Sequence, residues 1–176
     1  GKIQKLIANE NAVFETSQII INSNFMNYDL VKETLLVKGD NISMLSNFGT
    51  VYSQNSLLYN KSEKKIILDG NVLINLKNPE AKINANKLII QIDENEKITY
   101  IKAIEKVKVK IDSLEQNISS DMAELSNIDQ KINFEGNVII KQNKNFLKGN
   151  SAIIDFKKGL SSMSSNEQNS VTGVFY

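Results

Sequence analysis

The sequence predicts an all-β chain. Three observations carry this: side chains alternate apolar and polar with a period of two, helical 3.6 periodicity is almost absent, and short glycine-centred units recur along the chain. The plainest alternation runs from Lys106 to Asp112, where Val107, Val109 and Ile111 take every second place between lysines. On a strand those three share one face, and Lys106, Lys108 and Lys110 share the other.

The elements follow in order. Residues 3–13 form a first strand region, and the dense run Ile19-Ile20-Ile21 predicts a strand covered on both faces. Gly39 stands in Val37-Lys38-Gly39-Asp40-Asn41-Ile42 after a β-rich stretch. Asn47-Phe48-Gly49 leads to further strand at Val51-Tyr52-Ser53 and Leu57-Leu58-Tyr59. Residues 60–65 and 93–97 are polar and lysine- or acid-rich, as turns are. Between them Val72, Ile74 and Leu76 alternate, residues 77–81 around Pro79 read as a loop, and Leu88 to Ile92 reads as another strand covered on both faces. Residues 119–126 could begin a helix behind a serine cap but are assigned to strand, because their repeat partners are strands. Ile132 and Phe134 alternate, Ile153-Ile154 is again dense, residues 161–170 read as a connection, and 171–176 as a last strand.

The repeats are the strongest organising signal. Residues 3–13 resemble 98–107, with Ala8 matching Ala103 at an offset of 95, and Gly39 matches Gly136 at an offset of 97. Gly39, Gly70 and Gly136 each follow a β-rich stretch and precede asparagine plus valine or isoleucine; Tyr28, Tyr59 and Leu125 each stand 11 residues before one of them. We read one domain over residues 1–176, with an internal duplication of about 3–50 and 98–149. Each glycine is expected to supply a bulge or bend that a side chain would obstruct. Strand units with one apolar face must stack to bury it, which leaves a sandwich or jelly roll, a closed barrel or a β-solenoid. The unequal spacing, 31 residues from Gly39 to Gly70 and 66 from Gly70 to Gly136, favours the jelly roll over an adhesin-like solenoid of equal coils.

Composition excludes much chemistry. The chain has no cysteine and no histidine, which removes thiol nucleophiles, disulfides, Cys/His metal sites and histidine acid–base catalysis. Its carboxylates fall in turns or singly before glycines (Asp69, Glu135), not as a pair for glycoside hydrolysis. We therefore expect no enzyme and no cofactor. Net charge is +1 with no basic tract standing apart from acids, which argues against nucleic acid as a partner. The longest apolar runs are a few residues, far from the roughly 18–20 that span a bilayer. Gly1-Lys2-Ile3 reads as the middle of a chain, so an export signal or membrane anchor is expected to have preceded it.

The units resemble a known family. Ile66-Ile67-Leu68-Asp69-Gly70-Asn71-Val72-Leu73-Ile74, followed by residues 81–90, resembles the central pattern of the LptA/LptC (OstA-like) lipopolysaccharide transport proteins, and most closely LptA. Residues 132–138 followed by 146–155 resemble it a second time. Asn86 and Asn150 depart from the pattern where the family often has aspartate, at what read as surface turn positions. The resemblance covers residues 50–175 well. Residues 47–59 are also similar to LptC, and the N-terminal domain of LptD is a third relative.

The resemblance implies an antiparallel β jelly roll of two sheets splayed into a V, located in the periplasm, soluble or tethered to the inner membrane by a missing N-terminal segment. It implies a carrier whose cargo is lipopolysaccharide, with the lipid A acyl chains held between the sheets. Implied partners are the inner-membrane LptC and transporter, the outer-membrane LptD, and further copies joined head to tail through the edge strands 3–8 and 171–175. Combined with the alternation, it makes Val51, Leu57, Tyr59, Val72, Ile74, Leu88, Ile90, Val107, Val109, Leu125, Val138, Ile140 and Ile153 the candidate groove, and ordinary core packing is the alternative for each. Lysines 61, 64, 65, 106, 108 and 110 could meet lipid phosphates; a solvated turn or sheet face explains them as well.

Overall fold

The computed structural model describes residues 3–165 and 171–174. Alternation becomes strand almost everywhere. The first six strands are β1 Lys5–Glu15, β2 Ile19–Asp29, β3 Thr34–Lys38, β4 Ile42–Ser46, β5 Gly49–Ser53 and β6 Ser56–Asn60. Three long ones follow, β7 Lys65–Lys77, β8 Glu80–Ile92 and β9 Ile98–Ile111, then a one-turn 3-10 helix at Asp112–Leu114. The chain continues through β10 Gln116–Ser126, β11 Lys131–Gln142, β12 Asn145–Asp155, β13 Leu160–Ser164 and β14 Thr172–Val174. Residues 119–126 are strand, as expected. Residues 160–164 are also strand, which corrects the connection expected from 161: Leu160 to Ser164 pair with Asp155 to Ser151. Residues 166–170 of that connection, and 175–176 of the expected last strand, lie outside the described residues.

All fourteen strands join one antiparallel sheet. Its short strands are halves of long ones. β3 and β4 pair successive halves of β2, with Phe25 opposite Lys38 and Asn22 opposite Ser43. β5 and β6 pair successive halves of β7, and β13 and β14 pair successive halves of β12. The result is a meander of long strands joined by tight turns, each strand bent in its middle. The two leaves expected from the sequence are thus the two halves of one sheet. One leaf holds β3, β6, β13 and the matching halves of the long strands (leaf A). The other holds β4, β5, β14 and the remaining halves (leaf B).

The bends have a local cause. The ladder loses register at Asn9/Ala12, Asp69/Val72, Asn84/Lys87 and Glu135/Val138, as bulges require. At these points pairs of residues take left-handed backbone: Glu10-Asn11, Gly70-Asn71, Glu105-Lys106 and Gly136-Asn137. Gly70 and Gly136, at φ +87° and +75°, lie where a side chain is strained, and a Cβ on them would strike the side chains of Asn55 and Asp121. Polar side chains knit the seam. Asn71 Nδ2 donates to Gln54 Oε1 (2.7 Å), Asn137 Nδ2 to Asp121 Oδ2 (2.8 Å) and Asn86 Nδ2 to Glu105 Oε2 (3.2 Å). Asn86 and Asn150 therefore sit mid-strand at the bend, not in turns.

The inner faces of both leaves form a single apolar cluster. Leu35, Val37, Leu57, Ile66, Leu68, Ile90, Ile132 and Phe134 come from leaf A; Ile21, Ile42, Met44, Ile74, Val107 and Ile111 come from leaf B. The dense runs at 19–21, 88–92 and 153–154 are covered on one face only. Ile20 and Ile89 are half-exposed and Ile153 is exposed.

Candidate binding site between the leaves

Bending the sheet turns the apolar inner faces toward each other and makes a trough, with the bend as its keel. Twelve of the thirteen candidate residues line it. Val51, Leu57, Tyr59, Val72, Ile74, Leu88, Ile90, Val107, Val109, Leu125, Val138 and Ile140 are each 0–6% exposed. Ile153 does not belong: it is 43% exposed, opposite Asn133 on the outer face, while Ile154, opposite Ile132, points inward.

The mouth opposite the keel is bordered by two rims of turns. Rim B contributes Gln18, Asn47, Phe48 and Asn78, and rim A contributes Glu96, Lys97, Ile98 and Asn127; together they line a cleft of about 340 Å³. A wider polar cleft of about 800 Å³ adjoins it, between Glu15–Gln18 and Lys61 with residues 94–97. Every backbone hydrogen bond outside the ladders stays within one rim or at the seam, among the described residues. Among the described residues no ladder zips the mouth, and side-chain packing draws the leaves together.

The two ends of the trough differ. At the N-terminal end Phe14, on the leaf B half of β1, packs against Tyr28 and Tyr59 of leaf A, with ring centroids 5.5 and 5.7 Å apart. Tyr59 Oη donates to Glu96 Oε1 at 2.8 Å. Burial, and then this hydrogen bond to a carboxylate, raises the hydroxyl's pKa. Tyr28 and Tyr59 had a signal in the sequence, their equal spacing before Gly39 and Gly70. Phe14 and Glu96 had none, because they meet the tyrosines only through the fold. At the C-terminal end a smaller hollow of about 110 Å³ is lined by Ile140, Leu147 and Met163 with Gln116. Gln116 Oε1 is buried there without a hydrogen-bond partner.

The candidate lysines lie elsewhere. Lys61 and Lys64 are on rim A, paired with Glu33 at 3.8 Å and Glu94 at 3.1 Å, and Lys65 begins β7. Lys108 and Lys110 stand on the outer face of leaf B, Lys110 against Asp112 at 2.6 Å, and Lys106 lies at the seam. Among the described residues no group of three or more His, Cys, Asp or Glu could hold a metal ion, and no helix is long and apolar enough to cross a membrane. What this arrangement offers is a long apolar interior beneath a polar mouth, suited to sequestering hydrocarbon.

Comparison with known proteins agrees with that geometry. Among curated proteins, none matches the chain by sequence. The fold is similar to that in the crystal structure of LptH from Pseudomonas aeruginosa, described as the LptA-homologous periplasmic component of the lipopolysaccharide transport device. The TM-score is 0.61 at 9% identity, over 72% of this chain and 93% of that one. A family model described as LptA/(LptD N-terminal domain) LPS transport protein matches residues 50–159 and, overlapping them, 117–174. With well over half of its length matched, the chain belongs to the LptA/LptD N-terminal domain family of lipopolysaccharide transport proteins.

Proposed function

We propose that the chain holds the acyl chains of lipopolysaccharide between its two leaves and hands the lipid across the periplasm, from the inner to the outer membrane, as one segment of a protein bridge. The observation that carries this reading is the uninterrupted apolar interior. Strands stack at 4.7–4.9 Å, so a meander of this many long strands offers a track on the order of 45–50 Å. Each buried methylene is worth about 0.8 kcal/mol; a chain of a dozen carbons would therefore lose roughly 10 kcal/mol in water, and a continuous greasy sleeve removes that barrier. The interior is filled by the protein's own side chains, so entry requires the leaves to part. The mouth, closed by packing without a ladder, is the place where they can.

The same trough serves a free-standing segment or the N-terminal domain of a larger protein, the two forms that the family model describes together. Its open edges suit assembly. β1 pairs only with β2, and β13 and β14 only with β12, among the described residues. Neighbouring copies, or LptC and LptD, could add strands there.

Fluorescent lipid A, displaced by unlabelled lipopolysaccharide, tests the reading. Val109→Asp and Ile140→Asp place a carboxylate inside the trough and are expected to abolish saturable binding, whereas Ile153→Asp, on the outer face, leaves it unchanged. A folded Val109→Asp protein that binds lipid like the parent would sink the proposal.

A further inference from the structure

The two outer faces carry different charge patterns. On leaf A, following the register from β2 to β12, five lysines (38, 65, 87, 102 and 131) are matched by five acids (Asp29, Asp69, Glu124, Glu135 and Asp155). Some pair directly, as Lys102 with Glu124 at 2.8 Å and Lys131 with Asp155 at 3.5 Å. On leaf B the two central rows carry lysines and no acid. The row nearer the keel reads Asn22, Ser43, Tyr52, Leu73, Asn84, Lys108, Ser119, Ile139, Lys148. The row nearer the rim reads Ile20, Leu45, Thr50, Asn75, Lys82, Lys110, Asn117, Lys141, Phe146. Neither row contains an acid; Glu15 opposite Ile20 on the edge strand β1, Glu80 opposite Lys77, Asp112 on the rim and Asp121 at the seam border it.

Five lysines therefore share the β8–β12 half of one face in a molecule whose net charge is only +1. Lys82 and Lys110 stand directly opposite one another, with Asp112 on the rim as their counter-charge, 2.6 Å from Lys110, while Lys108, Lys141 and Lys148 have no acid in their rows. We propose that the outer face of leaf B docks on an anionic lipid surface. Charge complementarity selects an anion, and three features of the patch select a bilayer. The patch is broad, lying on a sheet face with side chains spaced by the strands. Its cations are lysines, as everywhere in this arginine-free chain, and lysine acts as a diffuse point charge at anionic membranes. Half-buried Ile139 and Phe146 stand among the ammonium groups, with Lys148 Nζ 5.5 Å from the Phe146 ring, so hydrocarbon and charge meet the surface together. Docking this way turns the acid-rich turns at 93–96 on rim A away from the bilayer. The inference is independent of whether acyl chains occupy the trough, although the family's work beside lipid favours a bilayer over a nucleic acid.

Co-sedimentation with vesicles tests it, using mixed phosphatidylglycerol and phosphatidylcholine against phosphatidylcholine alone. Each lysine close to an anionic surface raises partitioning roughly fivefold. Lys82→Gln, Lys108→Gln and Lys148→Gln together are therefore expected to weaken binding to the mixed vesicles about a hundredfold at low salt. Lys38→Gln, Lys65→Gln and Lys87→Gln on leaf A remove the same net charge and are expected to change it less than fivefold. Equal losses from both triple variants would reduce the effect to net charge and overturn the proposal. So would equal binding of the parent to neutral vesicles, or binding to a short DNA duplex with the same lysine dependence and none to vesicles. Lipid A displacement, measured in parallel on the leaf B variant, separates this outcome from failure of the transport reading.

Discussion

Removing the Phe14 ring should lower the stability of the protein and raise its affinity for lipid. Phe14 joins leaf B to leaf A through two tilted ring contacts, at 5.5 Å to Tyr28 and 5.7 Å to Tyr59. Such pairs contribute about 0.5–1.5 kcal/mol each beyond their area, so Phe14→Ala forfeits about 1–3 kcal/mol of closure. If acyl chains enter only when the leaves part, the apparent dissociation constant is the intrinsic one divided by the parted fraction. A shift of 1–3 kcal/mol corresponds to about 5–150-fold, and binding tightens by up to that factor until the parted state predominates. Two measurements on the same samples decide it: the urea midpoint and titration with fluorescent lipid A. The midpoint should fall while the affinity rises, and Phe14→Leu, which keeps an apolar contact without the rings, should fall between. A Phe14→Ala protein whose affinity drops along with its stability would refute the idea that this cluster closes the mouth.

Three further outcomes are expected. Gly136→Ala adds a Cβ that falls on the Asp121 side chain at φ +75°; the left-handed backbone costs about 1–2 kcal/mol, read as a lower thermal midpoint, whereas Gly159→Ala, at φ +63° with open space around it, carries the backbone cost alone. Glu124 has a pKa lowered first by the hydrogen bond from Lys102 and then by Tyr100, against burial. A lowered folded pKa gives stability that is present above the unfolded value of 4.5 and lost as pH falls through the folded one. Lys102→Gln should therefore cost roughly 0.2–1 kcal/mol at neutral pH, a difference that begins to shrink near pH 4.5 and vanishes once pH has fallen through the lowered folded pKa, in urea melts at several pH values. Light scattering over a concentration series should show head-to-tail association, and a proline at Ile7 on the edge strand should reduce it; a strict monomer at every concentration would exclude edge pairing.

Strand, turn and bend were legible because each is dictated locally. Val107, Val109 and Ile111 announced their face by alternation, and Gly70 and Gly136 marked the keel because few other residues take that backbone comfortably. Other features depend on partners distant in sequence. Ile153 and Ile154 are equally apolar, and only pairing with Asn133 and Ile132 decides which points inward. At Glu10-Asn11 and Glu105-Lys106 the bend is made without glycine, so no residue type marked it, although the 95-residue repeat linked the two segments. Ser161 to Ser164 read as a polar connection because an edge strand with three serines among five residues has no alternation to display. Of the basic face only Lys108 and Lys110 showed in the alternation; Lys82, Lys141 and Lys148 stand far off in sequence, and only strand register brings them together.

Because β8 to β11 each ladder only with the strand before and the strand after, this part of the molecule behaves as a stack of similar courses. Adding or deleting a hairpin lengthens or shortens the passage without altering its bore. Folding can proceed course by course from either end, and the distance to be crossed can be tuned by the number of hairpins while each hairpin keeps its sequence.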